Sequence, residues 1–152
     1  MGTLRHNFPD LPPIWAAGFA LAAVIAGQLL PPGPFDHAAP RILGLILIAA
    51  GLLLAAWAAL WFRRKRTSIE PREVPRQLIV EGPFRINRNP IYTGMALVIF
   101  GAALLWGSWI SLIIAALFPP LITARFIQGE EDTLRRAFGS EAETYIARTR
   151  RW

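Results

Sequence analysis

Glu81-Gly82-Pro83-Phe84-Arg85-Ile86-Asn87-Arg88-Asn89-Pro90-Ile91-Tyr92 is the stretch on which the fold turns, together with an acidic pair further along, Glu130-Glu131. Between them, from Ile91 to Ile127, the chain is almost wholly apolar, interrupted by Gly107-Ser108 and Pro119-Pro120. If that run crosses a membrane and returns, both polar motifs emerge at one surface. Its arms, 91–106 and 109–127, differ by only a few residues. At about 1.5 Å of rise per residue they end in the same interfacial layer.

Upstream, two further apolar runs read as spans. Ile14 to Leu30 (14–30) is uncharged and near the lower length limit for crossing a bilayer, and Pro31-Pro32-Gly33-Pro34 stops it. Its length and the lack of a small-x-small cleavage site favour a retained anchor over a signal peptide. Ile42 to Phe62 (42–62) is the strongest span, carrying Trp57, Trp61 and Phe62 at its end before Arg63-Arg64-Lys65-Arg66. Aromatics followed by a basic cluster mark the cytoplasmic end of a helix. The fold class is therefore all-α: a polytopic membrane helix bundle of about four transmembrane helices (14–30, 42–62, 91–106, 109–127), a single domain over 1–152. A cytoplasmic connector covers 63–90, and a short cytoplasmic helical C-terminus covers 130–152. An even number of spans puts both termini on the side of the basic loop, in a bacterial-type inner membrane.

Composition agrees. The hydrophobic fraction is 54% and mean hydropathy +0.39, whereas charged residues make up 17% and sit in a few blocks. A soluble domain of this size needs a polar exterior. The net charge of +6 does not point to nucleic acid, because the excess lies in one loop beside spans: Arg63 to Arg88 holds eight Lys/Arg against three Glu, a net of +5. The basic cluster reads first as orientation and phospholipid contact. With no cysteine there is no disulfide framework, thiol nucleophile or Cys-ligated zinc. His6 and His37 are far apart, so no metal site is expected. Met1-Gly2 is followed by His6 where N-myristoylation needs Ser or Thr.

Local signals fill in the rest. Gln77 to Val80 suggests a short strand or interfacial segment, and Asn89-Pro90 sets a helix start at Pro90. Gly107-Ser108 predicts a tight hairpin, and Pro119-Pro120 a kink in the fourth span. Glu130 to Gly139 has acids first and bases last with a glycine stop, and Ser140 to Glu143 reads as a capping box opening a helix to Arg148. Gly44-x6-Gly51 and Gly94-x6-Gly101 permit close packing within or between chains, leaving oligomeric state open. Arg125 lies inside the fourth span, where a charge is costly unless paired or facing a cavity. Gly82-Pro83 and Asn89-Pro90 leave non-helical backbone near Tyr92, suited to holding a polar cofactor. Salt bridging and interface anchoring remain the simplest account of the arginines and glutamates taken alone.

The pattern Gly-Pro-Phe-Arg-x-x-Arg-Asn-Pro-x-Tyr, then after a helical hairpin Arg125, Glu130-Glu-x-x-Leu-x-x-x-Phe-Gly139 and Tyr145, resembles the isoprenylcysteine carboxyl methyltransferase and phospholipid methyltransferase superfamily. The likeness covers about Glu81 to Trp152. It implies S-adenosylmethionine bound at the cytoplasmic end of the last spans, with S-adenosylhomocysteine as product and no soluble dinucleotide fold. Gly82, Pro83, Phe84, Arg85, Arg88, Asn89, Pro90 and Tyr92 would line the cofactor pocket, completed by Glu130 and Glu131. Arg88, Tyr92 and Arg125 would act in catalysis, Arg125 by orienting the acceptor and Arg88 by pairing with the methionine carboxylate. The acceptor would be lipid-like or prenylated, entering from the membrane near Pro119-Pro120, with no metal. Asn89 stands where His is commoner in the prenylcysteine enzymes, which counts against a carboxyl acceptor, and isoprenylated cysteine, phosphatidylethanolamine amines, a small thiol and a quinone-like lipid are all compatible with an apolar cavity. Two other readings remain: a membrane reductase related to sterol reductases and using NADPH, and a non-catalytic membrane scaffold.

Overall fold

The computed structural model describes residues 10–33, 35–69 and 73–152. The residues weighed for N-myristoylation, Met1, Gly2 and His6, and Pro34 of the stop after the first span lie outside the described residues. Six α-helices follow in order: α1 (Pro12–Leu29), α2 (Ala38–Arg64), α3 (Pro90–Trp106), α4 (Trp109–Ile122), α5 (Gln128–Phe138) and α6 (Ser140–Arg148). A 3-10 turn, Gly82–Arg85, precedes α3, and a π-helical turn, Thr123–Ile127, joins α4 to α5. Among the described residues there is no strand, only an isolated parallel bridge between Asn87 and Arg150.

Three elements are long and apolar enough to cross a membrane: α1, α2 and the unbroken rod Trp109–Phe138; α3 is a shorter apolar helix of 17 residues. Their outer surfaces are apolar, with Leu21, Leu45, Leu53, Ile113 and Leu117 all exposed, as a bilayer requires. The chain is an integral membrane helix bundle.

Several boundaries differ from the sequence reading, each for a physical reason. α1 begins two residues earlier than expected because Pro12 and Pro13 occupy the first helical positions, where a missing N–H costs nothing. α2 runs to 27 residues, past Arg41 and through Arg63–Arg64; hydropathy marks the apolar part of a helix, not its hydrogen-bonded length. The helix that carries the fourth span does not stop at Ile127, and no separate helix starts at Glu130: the helical rod continues to Phe138. Gly129 is the one glycine between the π turn and Phe138, and one glycine costs only about 1 kcal/mol. Pro119 and Pro120 lie inside α4, and the helix carries on through them. Past them, Thr123 donates from its hydroxyl to the Pro119 carbonyl (2.8 Å) and the π turn follows. Gln77–Val80 forms no strand; lacking a partner, it buries Ile79 against Ala58, Phe84 and Tyr145 instead. Nor does the capping box form: Gly139 is the cap (φ 51°), and Ser140 is already helical with no side-chain cap bond.

The packing centres on α3. One face lies along α2 through paired glycines. A Cβ on Gly51 would stand 2.4 Å from the Gly94 carbonyl oxygen, and one on Gly44 2.7 Å from that of Gly101. Both small-residue steps are thus satisfied within the chain, in antiparallel register. The other face of α3, with Tyr92, Ala96, Ile99 and Ala103, packs against Ala23 of α1 and Ala115, Phe118 and Ile122 of α4. The Ser111 hydroxyl donates to the Ala23 carbonyl (2.7 Å), a buried tie between α1 and α4. Gly107 makes the expected hairpin at φ 62°, and its carbonyl accepts the Gly33 N–H at 3.0 Å. At one end of the bundle Gly33, Phe35 and Asp36 lie against the Gly107 hairpin, while the start of α3 and the rod's α5 extension meet at the other.

Candidate functional site

At that other end, two turns set the backbone. Gly82 holds φ 58°, and a Cβ there would stand 2.0 Å from Trp61 Nε1. Only glycine satisfies both demands. Pro83 and Phe84 are buried behind it, and Phe84 meets Phe62 edge-on at 5.4 Å. The Tyr145 hydroxyl, from α6, donates to the Phe84 carbonyl (2.8 Å). Burial pushes that phenol well above its ordinary pKa, so it stays a neutral donor. Lys65 donates to Glu81 (2.6 Å) and holds that carboxyl below its usual range. Downstream, Asn87 Oδ1 accepts the Asn89 N–H (3.0 Å), a local turn that delivers the chain to Pro90 at the first position of α3.

The polar heart is an Arg–Glu–Arg cluster. Glu131, 3% exposed, accepts from Arg88 Nε (3.3 Å) and an Arg88 terminal nitrogen (2.9 Å). On its other side Arg151 makes a bidentate pair, at 2.9 and 2.7 Å. Arg88 also donates to the carbonyls of Ile146 (2.8 Å) and Thr149. The backbone of 149–152 lies alongside: Arg88 N–H donates to the Arg150 carbonyl (2.8 Å), and the Asn89 side-chain amide to that of Arg151 (3.0 Å). Next to this cluster the Tyr92 hydroxyl donates to Glu130 at 2.6 Å. One turn into α3 and one turn into α5 thus meet across the bundle end.

These groups open onto a cavity of about 410 Å³, within the usual range of small-molecule sites. Its wall is largely apolar, with Phe62, Phe84, Met95 and Leu134; its polar part includes Glu130, Glu131, Arg88, Asn89 and Glu73. Of the residues singled out from the sequence, Phe84, Arg88, Asn89, Pro90, Tyr92, Glu130 and Glu131 share this wall. Gly82, Pro83 and Arg85 do not; they shape the turn behind it, with Arg85 exposed. Arg125 lies apart, in the π turn, pairing with Asp10 at 3.1 and 2.8 Å beside an open groove of about 610 Å³ between α1 and α4. Pro119 and Pro120 line neither space.

Sequence reasoning missed Arg151, Asn87, Tyr145's bond to the turn, and the connector wall formed by residues such as Ile69, Glu73 and Leu78. The Asn-x-Asn turn was the available signal for Asn87. Nothing in the spacing singled out Arg151 among Arg148, Arg150 and Arg151.

Chemically, the cavity suits an amphiphile or cofactor that carries positive charge. It offers carboxylates and aromatic faces, and its arginine is already engaged by Glu131 and two carbonyls. Among the described residues no group of three metal-binding side chains occurs. Compared with known proteins, residues 39–141 match the sequence model of one family, described as phospholipid methyltransferase. No curated protein and no solved structure matches the chain.

Proposed function

Because the chain belongs to the phospholipid methyltransferase family, and with it to the wider group of membrane methyltransferases, we propose that it methylates an amphiphilic, lipid-like acceptor using S-adenosylmethionine held in the 410 Å³ cavity. One observation carries this reading: carboxylates and aromatic side chains line a largely apolar chamber at the start of α3. The donor set fits the cofactor, whose ammonium and sulfonium are both cationic. Bound there, S-adenosylmethionine would supply an electrophilic methyl group for in-line displacement.

The protein's share is alignment and exclusion of water. Glu130, fixed by Tyr92, is the carboxylate best placed to hold a cationic group. Glu131 and Arg88 set the adjoining wall, and Asn89 and Pro90 supply its backbone. Arg88 acts by holding Glu131 rather than by pairing directly with a ligand carboxylate, since four of its N–H groups already have protein acceptors. The wall carries Glu73, Glu130 and Glu131 against Arg88, which favours an amine-bearing acceptor over a carboxylate. Such an acceptor gives up a proton as the methyl group arrives, and Glu130 lies within the chamber to receive it. Arg125, beside its own groove, is proposed to contact lipid or acceptor outside this chamber.

The test is calorimetric titration of the solubilised protein with S-adenosylhomocysteine. Micromolar binding that is weakened about tenfold in Glu130→Gln is expected. Absence of binding to folded protein, with NADPH binding instead, would favour the reductase reading; binding of neither would favour a scaffold. Given cofactor binding, turnover with lipid amines but not with prenylated carboxylates is expected.

A further inference from the structure

The segment Thr149–Trp152 touches the site without lining the cavity. Its backbone carbonyls at Thr149, Arg150 and Arg151 accept from the Arg88 side chain, the Arg88 N–H and the Asn89 side chain respectively. Its Arg151 guanidinium grips both oxygens of Glu131. Trp152 packs against the core cluster that contains Tyr92. Three residues of the cavity wall, Arg88, Asn89 and Glu131, are therefore held from behind by three residues, Thr149, Arg150 and Arg151, that do not line the cavity.

We propose that Arg151 is a positioning residue: its fork fixes the Glu131 carboxylate, and through it Arg88, in the geometry that binds the cofactor. The proposal rests on the methyltransferase reading above. Its physical basis is the geometry of the fork. Glu131 Oε1 receives N–H groups from both arginines, whereas Oε2 receives one from Arg151. Without Arg151 the carboxylate keeps only the Arg88 side of its clamp, and rotation about its last bond is no longer opposed. Arg151 is 38% exposed, against 4% for its partner. With Arg151 removed, Arg88 still compensates the buried Glu131 charge, which limits the cost to folding, whereas loss of an orienting partner acts on affinity, by about 10- to 100-fold where it has been gauged at metal sites. A role in stability and a role in positioning therefore predict opposite patterns.

The experiment measures S-adenosylhomocysteine affinity and thermal midpoint on the full chain in detergent or nanodiscs. Arg151→Ala should weaken binding about tenfold or more, with the midpoint moving by only a few degrees. Arg151→Lys keeps the charge but not the fork, and should give an intermediate loss. In a Glu131→Gln background, Arg151→Ala should add little further, because the two act as one unit. Unchanged affinity in Arg151→Ala overturns the proposal, as does an equal loss with or without Glu131. Should Arg151→Ala fail to fold, Arg151→Lys decides alone, and wild-type affinity in it overturns the proposal. Failure of the wild-type protein itself to bind would instead overturn the cofactor reading, so the two failures are distinguishable.

Discussion

At the scale of single residues, Tyr92 and Glu130 share one short hydrogen bond (2.6 Å) and should behave as a pair. Tyr92→Phe and Glu130→Gln are each expected to weaken S-adenosylhomocysteine binding by about tenfold, the scale of a hydrogen bond to a charged group. The double variant should lose little more; additive losses in titration would separate their roles. Arg125→Ala should leave that affinity within about twofold and cost at most about 1 kcal/mol in unfolding, because its pair with Asp10 is half exposed. The Lys65–Glu81 pair has a defined acid dependence. The folded Glu81 carboxyl is depressed by Lys65, so its contribution is present above the ordinary value of 4.5 and is lost as pH falls through the folded value. Unfolding followed against pH should show that loss in the wild type and not in Lys65→Met, and it should be small because both side chains contact water. The motif residues Arg88, Tyr92, Glu130 and Glu131 were legible in the sequence because two motifs flank a hairpin. Arg151 was not: its partner is 20 positions away, and only the folded path of α5 and α6 brings the two together.

At the scale of elements, the α2–α3 seam is the most demanding contact. Gly51→Val must move backbone, since a Cβ there meets the Gly94 carbonyl at 2.4 Å. It is expected to destabilise the bundle by about 1–3 kcal/mol, as overpacking does. Gly18→Ala is the matched control, because nothing lies within 4 Å of a Cβ at that position; it should be neutral or stabilising by up to about 1 kcal/mol. Equal midpoints for the two variants in thermal unfolding would refute this view of the seam. The glycine spacing announced close packing, but spacing alone cannot say whether the partner helix belongs to the same chain. The continuity of α4 and α5 was hidden for a related reason. Polarity changes sharply at Gln128, and polarity reports the surroundings of a helix rather than its hydrogen bonding. The π turn that carries Arg125 leaves no mark in hydropathy at all.

At the scale of the whole molecule, the order of the four apolar helices was readable, three of them long enough to cross a membrane, because a bilayer admits few solutions. The arrangement of α3 between α2 on one side and α1 with α4 on the other was not, since all four helices are apolar along most of their length and on every face there. Orientation is the remaining prediction. The net +5 of the segment from Arg63 to Arg88 should hold the cavity end on the cytoplasmic side. The chain contains no cysteine, so a single one introduced at Arg66 or Ala147 should react with an impermeant thiol reagent only from the cytoplasm. One at His37 should react only from outside, and the opposite pattern would invert the topology. The pairing of Arg88 with the Thr149 carbonyl, 61 positions away, also bears on how the protein is made. A ribosome that has inserted α1 to α4 has built the hydrophobic walls, but the clasp behind Arg88 and Glu131 is still to be translated. The helical walls are therefore laid down before the backbone of residues 149–151 can brace Arg88 and Asn89.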